Sequence, residues 1–327
     1  MMNKYRILVT GGAGFIGSNL VNTLLQDKRV SFVRVLDNLS NGHRRNIEEF
    51  LDHPNFEFIE GDIRDYSSCI QACEGIDRIS HQAALGSVPR SIKAPLTTNA
   101  VNIGGTLNIF TAAKDSGIRR VVYACSSSTY GDSPALPKRE DVIGNPISPY
   151  AVSKLVNELY ASVYAKLYDI NFVGLRYFNV FGPKQDPNGA YAAVIPLFVK
   201  AIMEEKPPTI NGDGLQSRDF TYVANAVQAN IKGLFTERED ALNEVYNIAV
   251  GERITILDLF EELKQVAGSY LQPNFGPDRI GDVKHSLADI SKAKNYLDYN
   301  PEVTVREGLR IAYEWYMENQ QIYNLAL

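Results

Sequence analysis

From residue 5 to about residue 180 the chain alternates short apolar runs with longer stretches whose apolar positions recur at helical spacing. Arg6–Val9, Phe32–Leu36, Phe56–Glu60, Arg78–His81, Arg120–Ala124 and Phe172–Arg176 have strand length and strand composition. Between them, Phe15–Asp27, Tyr66–Cys73, Thr97–Asp115 and Tyr150–Leu167 predict helices. This alternation with short connections predicts an α/β fold built on a doubly wound parallel sheet. Beyond Gly182 the alternation lapses. Loops rich in Pro, Gly and Asn at 182–189 and 206–214 separate isolated helices, and Val245–Ala249 reads as one more strand returning to the sheet. The pattern divides the chain into a larger unit, 1–182 plus about 216–265, and a smaller, discontinuous C-terminal unit, about 183–215 plus 266–327.

Composition narrows the picture. With 327 residues, 45% of them hydrophobic and 22% charged, the chain can bury a large core without disulfides or metals. A net charge of −5 and no long basic run argue against nucleic acid as a partner. Cys69, Cys73 and Cys125 are too few for a disulfide framework. Cys69 and Cys73 sit four apart on a predicted helix with no His or Cys cluster beside them, so they read as buried small hydrophobes and no metal site is expected. Glycines cut the first apolar run, Ile7–Thr10, too soon for a signal-peptide core, and no window approaches a membrane span of about 20 apolar residues. A reducing cytoplasm, without membrane partners, is the expected setting.

The first candidate chemistry lies where the first strand meets the first helix. Gly11, Gly14 and Gly17 in GGAGFIG, with Phe15 and Ile16 between the last two, space a tight turn that brings backbone close to an anion at a helix N-terminus. Asp37 ends the second strand, where a carboxylate binds a ribose and repels a 2′-phosphate; Asn38 follows it. Together these features predict a Rossmann domain that binds NAD. In Gly61-Asp62-Ile63, after the third strand, two readings stand open: Asp62 bonding an adenine with Ile63 packed on the ring, or Asp62 capping the next helix.

Tyr150 and Lys154, in YAVSK, are four apart and share a helix face. A nearby ammonium and a positive nicotinamide both favour phenolate, bringing a tyrosine with an ordinary pKa of about 10 toward the working range. Ser126, Ser127 and Ser128 follow the fifth strand at the end that faces a ligand crevice, where a hydroxyl can bond a reacting oxygen; a plain serine-rich turn is the alternative.

These motifs together resemble the extended short-chain dehydrogenase/reductase family along essentially the whole chain. The marks are GGAGFIG at 11–17, Asp37, GDI at 61–63, HQAA at 81–84, SSSTYG at 126–131, YAVSK at 150–154 and RYFNVFGP at 176–183. Within the family the chain is most similar to UDP-hexose 4-epimerases, those accepting UDP-N-acetylglucosamine in particular. The resemblance implies that Tyr150 is the base, Lys154 its partner and Ser126 the third catalytic member. It places His81, Gln82, Ala83, Ala84, Asn99 and Tyr177 near the cofactor. It implies that Asn179, Arg218 and Arg279 hold a sugar diphosphate, that Ala193, Val194, Thr209 and Asn211 enclose the uracil, and that Asp282 binds the ribose. Ser286 stands where family members restricted to UDP-glucose carry a bulky tyrosine, leaving room for an N-acetyl group that Ser87 and Arg90 would also contact; a surface serine of no consequence is the other reading. The helices Thr97–Asp115 and Tyr150–Leu167 resemble the family's four-helix homodimer contact. Two positions depart from the pattern: Gln82 replaces a commoner apolar residue, and Ala124-Cys125 precede the serines where relatives carry more hydroxyls.

The implied reaction is inversion at C4 of a UDP-hexose through a transient 4-keto sugar, on UDP-GlcNAc and UDP-GalNAc first and on UDP-Glc and UDP-Gal as an extension. Its rivals are a 4,6-dehydratase, a decarboxylase, an NADPH-linked reductase and a non-catalytic NAD-binding scaffold. Dehydratases of the family resemble one another in an Asp-Glu pair where this chain has Ser127 and Ser128. Asp37 disfavours NADPH, and the survival of Tyr150, Lys154 and Ser126 disfavours a scaffold.

Overall fold

The computed structural model describes residues 4–189, 192–277 and 284–323. Its centre is a seven-stranded, all-parallel sheet. The strands are β1 (Tyr5–Thr10), β2 (Val30–Asp37), β3 (Phe56–Glu60), β4 (Arg78–His81), β5 (Arg120–Ser126), β6 (Asn171–Tyr177) and a seventh strand, Glu244–Ile248. Their spatial order is β3-β2-β1-β4-β5-β6 followed by the seventh, so the winding reverses between β1 and β4. Such a reversal opens a crevice at the strands' C-terminal ends.

The sheet separates two cores because successive side chains on a strand point to opposite faces. From β1, Ile7 and Val9 join α1 (Phe15–Gln26) and α8 (Val223–Phe235) on one face. Leu8 joins α2 (Tyr66–Cys73), α5 (Thr106–Asp115) and α6 (Pro149–Leu167) on the other. Cys69 and Cys73 are fully buried in this second core, and burial pushes both thiols up to about 12. They serve as small apolar side chains.

One expected helix is more complicated than its sequence pattern. In place of a single Thr97–Asp115 helix, α4 (Pro95–Asn99) widens into a π turn at Ala100–Gly105 before continuing as α5. A Cβ on Gly105 would meet the Ile63 side chain at 2.5 Å, so the missing side chain lets this turn press against the segment after β3. A short helix, α3 (Val88–Lys93), also precedes α4; Ser87 caps it by accepting the Arg90 N–H at 3.2 Å.

Beyond the sheet, α7 (Val194–Met203), α9 (Ile256–Ala267) and α11 (Val305–Glu318) pack on one another, while α10 (Ser291–Leu297) packs against the seventh strand and α8. Phe198 of α7 stacks edge-on against Phe260 of α9 at 5.0 Å. Asp219 anchors this region from within. It is fully buried, and its carboxylate accepts the backbone N–H groups of Val250, Gly251 and Ala288.

Candidate active site

A cleft of about 640 Å³ opens where the sheet order reverses, lined from β1, β2, β3, β4, β5 and β6. At one end the β1–α1 turn enters it. Gly11 has φ +70, and a Cβ there would lie 2.6 Å from the Ala83 backbone nitrogen; a Cβ on Gly17 would lie 2.1 Å from the Gly11 carbonyl oxygen. Only glycine allows this approach. Gly14 occupies the N-cap of α1 with no side chain bonded over the helix end and no acidic residue in the first turn. Uncapped N–H groups and the positive end of the helix dipole then face the cleft, which fits a pyrophosphate. Phe15 and Ile16 line the same end.

Asp37 and Asp62 stand beside this turn, both lining the cleft. Asp37 accepts the Ala13 N–H at 3.0 Å and the Leu39 N–H at 2.8 Å, so it fixes the glycine turn and the segment after β2. Burial raises its pKa, against those two hydrogen bonds. Of the two readings of Asp62, helix capping is excluded: Asp65 caps α2 by accepting from the Ser67 and Ser68 N–H groups. The Asp62 carboxylate instead takes the Arg64 fork at 2.6 and 3.0 Å and the Asn38 amide at 2.9 Å, and Arg64 above all holds it down to about 2. Ile63, Asn38, Ala83 and Ala84 complete this part of the wall.

The other end of the cleft gathers Ser126, Ser127, Ser128, Tyr150, Lys154, Tyr177 and Asn179. Ser126 ends β5 and turns its hydroxyl back onto the Ser128 N–H, 3.1 Å away, which sets the following 3-10 turn. Ser148 caps α6 through the Ala151 N–H, and Pro149 takes the first helical position, so α6 begins one residue before Tyr150. Tyr150 stands beside Ser126, which favours its ionised form. The Lys154 Nζ donates to the Ala124 carbonyl at 2.8 Å and lies 6.0 Å from the centre of the Tyr150 ring. Burial lowers Lys154 to about 8. The expectation that Lys154 depresses the tyrosine pKa is not met by the protein's own groups: burial raises Tyr150, and Ser126 opposes this without overcoming it. Desolvation is the largest influence on this hydroxyl.

Gln82, the departure within HQAA, has a defined role. Its amide donates to the Ser80 hydroxyl and to Asn230, each at 2.9 Å, and its carbonyl accepts the Tyr177 hydroxyl at 3.1 Å. Asn230 closes the ring by donating to the Tyr177 oxygen at 2.7 Å. A buried amide thereby orients the tyrosine that lines the cleft.

A second cavity of about 500 Å³ adjoins the first through Asn179 and Val180, which line both. Ala193, Val194, Thr209, Asn211 and Arg218 line it, with Phe198 and Phe220 as its apolar floor. Arg218 donates to the Ser217 and Lys284 carbonyls at 2.9 and 3.2 Å, and Asn179 donates to the Asp219 carbonyl at 2.9 Å.

Some expected positions fall elsewhere. His81 does not line the cleft; it is buried behind it, bonded to Thr10 at 2.6 Å and Thr106 at 2.9 Å. Asn99 is exposed and outside the cleft lining. Three residues on, Asn102 is the buried asparagine, bonding the Leu85 N–H and carbonyl and the Ser153 hydroxyl. Helical spacing alone does not separate the two, because they lie nearly on one face. Ser286 is half-buried just after the His285 bridge to Ser217; its N–H bonds the Ser217 carbonyl, and it lines neither cavity. Ser87 and Arg90 do line the first cleft. Arg279 and Asp282 lie outside the described residues. Sequence reasoning also missed Ser40, Asn41 and Gly42, which line the cleft from the segment after β2; a run of Asn, Ser and Gly signals a turn but no ligand.

Residues 7–249 match the model of the NAD dependent epimerase/dehydratase family. The UDP-glucose 4-epimerase of Mycolicibacterium smegmatis is 35% identical over 97% of this chain and 100% of its own. The structure of UDP-N-acetylglucosamine 4-epimerase from Methanobrevibacter ruminantium M1, in complex with UDP-N-acetylmuramic acid, has a TM-score of 0.91 and 40% identity, covering 97% of this chain and 100% of that one. That of UDP-glucuronic acid 4-epimerase from Bacillus cereus, with UDP-glucuronic acid and NAD, has a TM-score of 0.89 and 34% identity, over 96% and 99%. The chain belongs to the NAD dependent epimerase/dehydratase family, a branch of the extended short-chain dehydrogenase/reductases.

Proposed function

We propose that this protein is an NAD-dependent UDP-sugar 4-epimerase, with UDP-GlcNAc and UDP-GalNAc as its preferred pair. One observation carries the reaction type. Among the described residues the only carboxylates lining the first cleft are Asp37 and Asp62, both at the glycine-turn end, on β2 and just after β3, whereas the end around Tyr150 offers hydroxyls, amides, the Lys154 ammonium and Arg90. A site with one tyrosine as proton carrier suits reversible oxidation of an alcohol. It lacks the acid–base pair that elimination of water requires.

The residues divide as follows. Gly11, Gly14, Phe15, Ile16 and Gly17 hold the pyrophosphate, Asp37 and Asn38 a ribose, and Asp62 and Ile63 the adenine. Ala83, Ala84, Tyr177, Tyr150 and Lys154 surround the nicotinamide half, with Gln82 positioning Tyr177. NAD, when bound, supplies a reversible two-electron oxidant and a positive ring that favours phenolate. Tyr150 accepts the proton of the sugar's 4-hydroxyl and later returns it to the same oxygen, once the sugar has turned its opposite face toward the cofactor that would take and give back the C4 hydride. Ser126 bonds the reacting oxygen, and Lys154 steadies the tyrosine from the Ala124 side. Ser127, Ser128, Ser87 and Arg90 border the sugar; Asn179 and Arg218 take the diphosphate, and Ala193, Val194, Thr209 and Asn211 the uracil. A firm hold on the nucleotide leaves the sugar free to present either face.

The M. ruminantium relative supports the N-acetylated pair. The larger unit would hold NAD and the smaller one the nucleotide sugar. Exposed apolar residues on α6 (Val152, Leu159, Val163 and Leu167), with Leu96 of α4, support a homodimer through these helices. The three cysteines, all free and buried, suit a reducing cytoplasm.

The test is incubation with UDP-GlcNAc, UDP-Glc and UDP-glucuronic acid separately, without added cofactor, reading C4 configuration by NMR. The expected result is epimerisation, fastest with UDP-GlcNAc. Faster conversion of another sugar overturns the preference, and no epimer from any of the three overturns the reaction.

A further inference from the structure

The segment after β2, residues 38–43, crosses the rim of the dinucleotide cleft, and Asn38, Ser40, Asn41 and Gly42 line it. Side chains from three separate parts of the chain tie it down. Asn38 donates to Asp62 at 2.9 Å, Arg90 donates to the Asn41 side-chain Oδ1 at 2.8 Å, and His43 Nε2 lies 2.8 Å from Asp186 Oδ2. The last tie spans 143 residues and joins the segment to the 183–189 loop, whose Gln185 lines the same cleft. That loop is itself fixed on both sides. Toward the sheet, Asn19 donates to the Pro183 carbonyl at 3.1 Å, and Lys184 donates to the Asn46 carbonyl at 2.9 Å and to Glu49 at 2.8 Å. Toward α11, the Tyr316 hydroxyl donates to the Gln185 carbonyl.

We propose that residues 38–43 are a strap over the bound dinucleotide, and that the His43–Asp186 tie, backed by the Lys184 bonds that fix the loop to Asn46 and Glu49 just past the strap, keeps it closed, setting how long NAD stays bound. A reaction that oxidises and re-reduces the same carbon needs no cofactor exchange, so slow release is an advantage. Neither His43 nor Lys184 nor Asp186 lines the cleft, so their effect on NAD acts through the strap.

The inference rests on NAD binding by the family and not on the identity of the sugar. Its readout is cofactor release, so an inactive sugar assay leaves it standing. Purified holoprotein is diluted into an NAD scavenger, and protein-bound NAD is followed over time for the wild type, His43→Ala, Asp186→Ala, the double variant and Lys184→Met. Each single variant is expected to lose NAD about 3- to 10-fold faster, the range for a half-exposed ion pair or hydrogen bond. The double variant should lose it no faster than the worse single one, because both remove the same tie. Release at the wild-type rate in the variants that fold overturns the proposal, and so do His43 and Asp186 effects that multiply. If neither of those two variants folds, Lys184→Met alone decides: release at the wild-type rate overturns it.

Discussion

Tyr150 is half-buried beside Ser126, with the Lys154 ammonium 6.0 Å from its ring, and desolvation above all raises its pKa. A hydroxyl so placed is a poor base until a positive charge is added, and a bound nicotinamide adds one. Tyr150→Phe keeps the ring and removes only the proton carrier. Turnover should fall at least 100-fold, the lower bound for losing a general base, while the purified variant still carries NAD. Activity within about tenfold of wild type would refute the assignment. The same scale shows what local spacing leaves open. Tyr150 and Lys154 are one helical turn apart by sequence, but the carbonyl that holds the lysine belongs to Ala124, thirty residues away.

His81 shows how one side chain joins elements. It lies at the end of β4 and bridges Thr10 of β1 and Thr106 of α5 through its two ring nitrogens. Burial lowers its pKa to about 3, with the nearby Lys154 charge adding to the effect. The sign follows from linkage. Between about pH 6.5 and 3 the unfolded chain binds a proton here that the folded chain does not, so stability falls as pH falls through that window. From pH 6 to pH 4.5 the loss is about 2 kcal/mol from this group. Urea unfolding of wild type and His81→Asn at those two pH values should show a shallower loss in the variant. Equal losses would mean that the ring is not held neutral. At this scale the pattern HQAA marks a strand end correctly, and only the packed sheet shows that its first residue faces the core while Gln82 to Ala84 face the cleft.

The whole molecule is organised by contacts far apart in sequence. The two cavities meet at Asn179 and Val180, which border both. On the outside, α6 shows an apolar stripe: Val152, Leu159, Val163 and Leu167 are each between 46% and 66% exposed. Such a stripe on a long helix suits a helix–helix contact with a second copy of the chain. Sedimentation should give the wild type twice the monomer mass. Leu159→Arg with Leu167→Arg should return it to the monomer, by placing two charges in a desolvated interface. A monomeric wild type would exclude the contact.

What the sequence by itself determined was everything governed by a short period or by backbone sterics. The strand and helix alternation, the glycine turn, Asp37 at its strand end and the Tyr150–Lys154 face all follow from side-chain direction and from the few conformations a backbone permits. The tertiary structure decided which distant segments meet. It selected Asn102 over Asn99 as the buried asparagine, sent His81 into the core and gave Gln82 its partners. It brought Asp186 across 143 residues to His43. These outcomes depend on sheet order, on a π turn and on loop packing, where each choice is fixed by what the rest of the chain has already buried rather than by its neighbours in sequence.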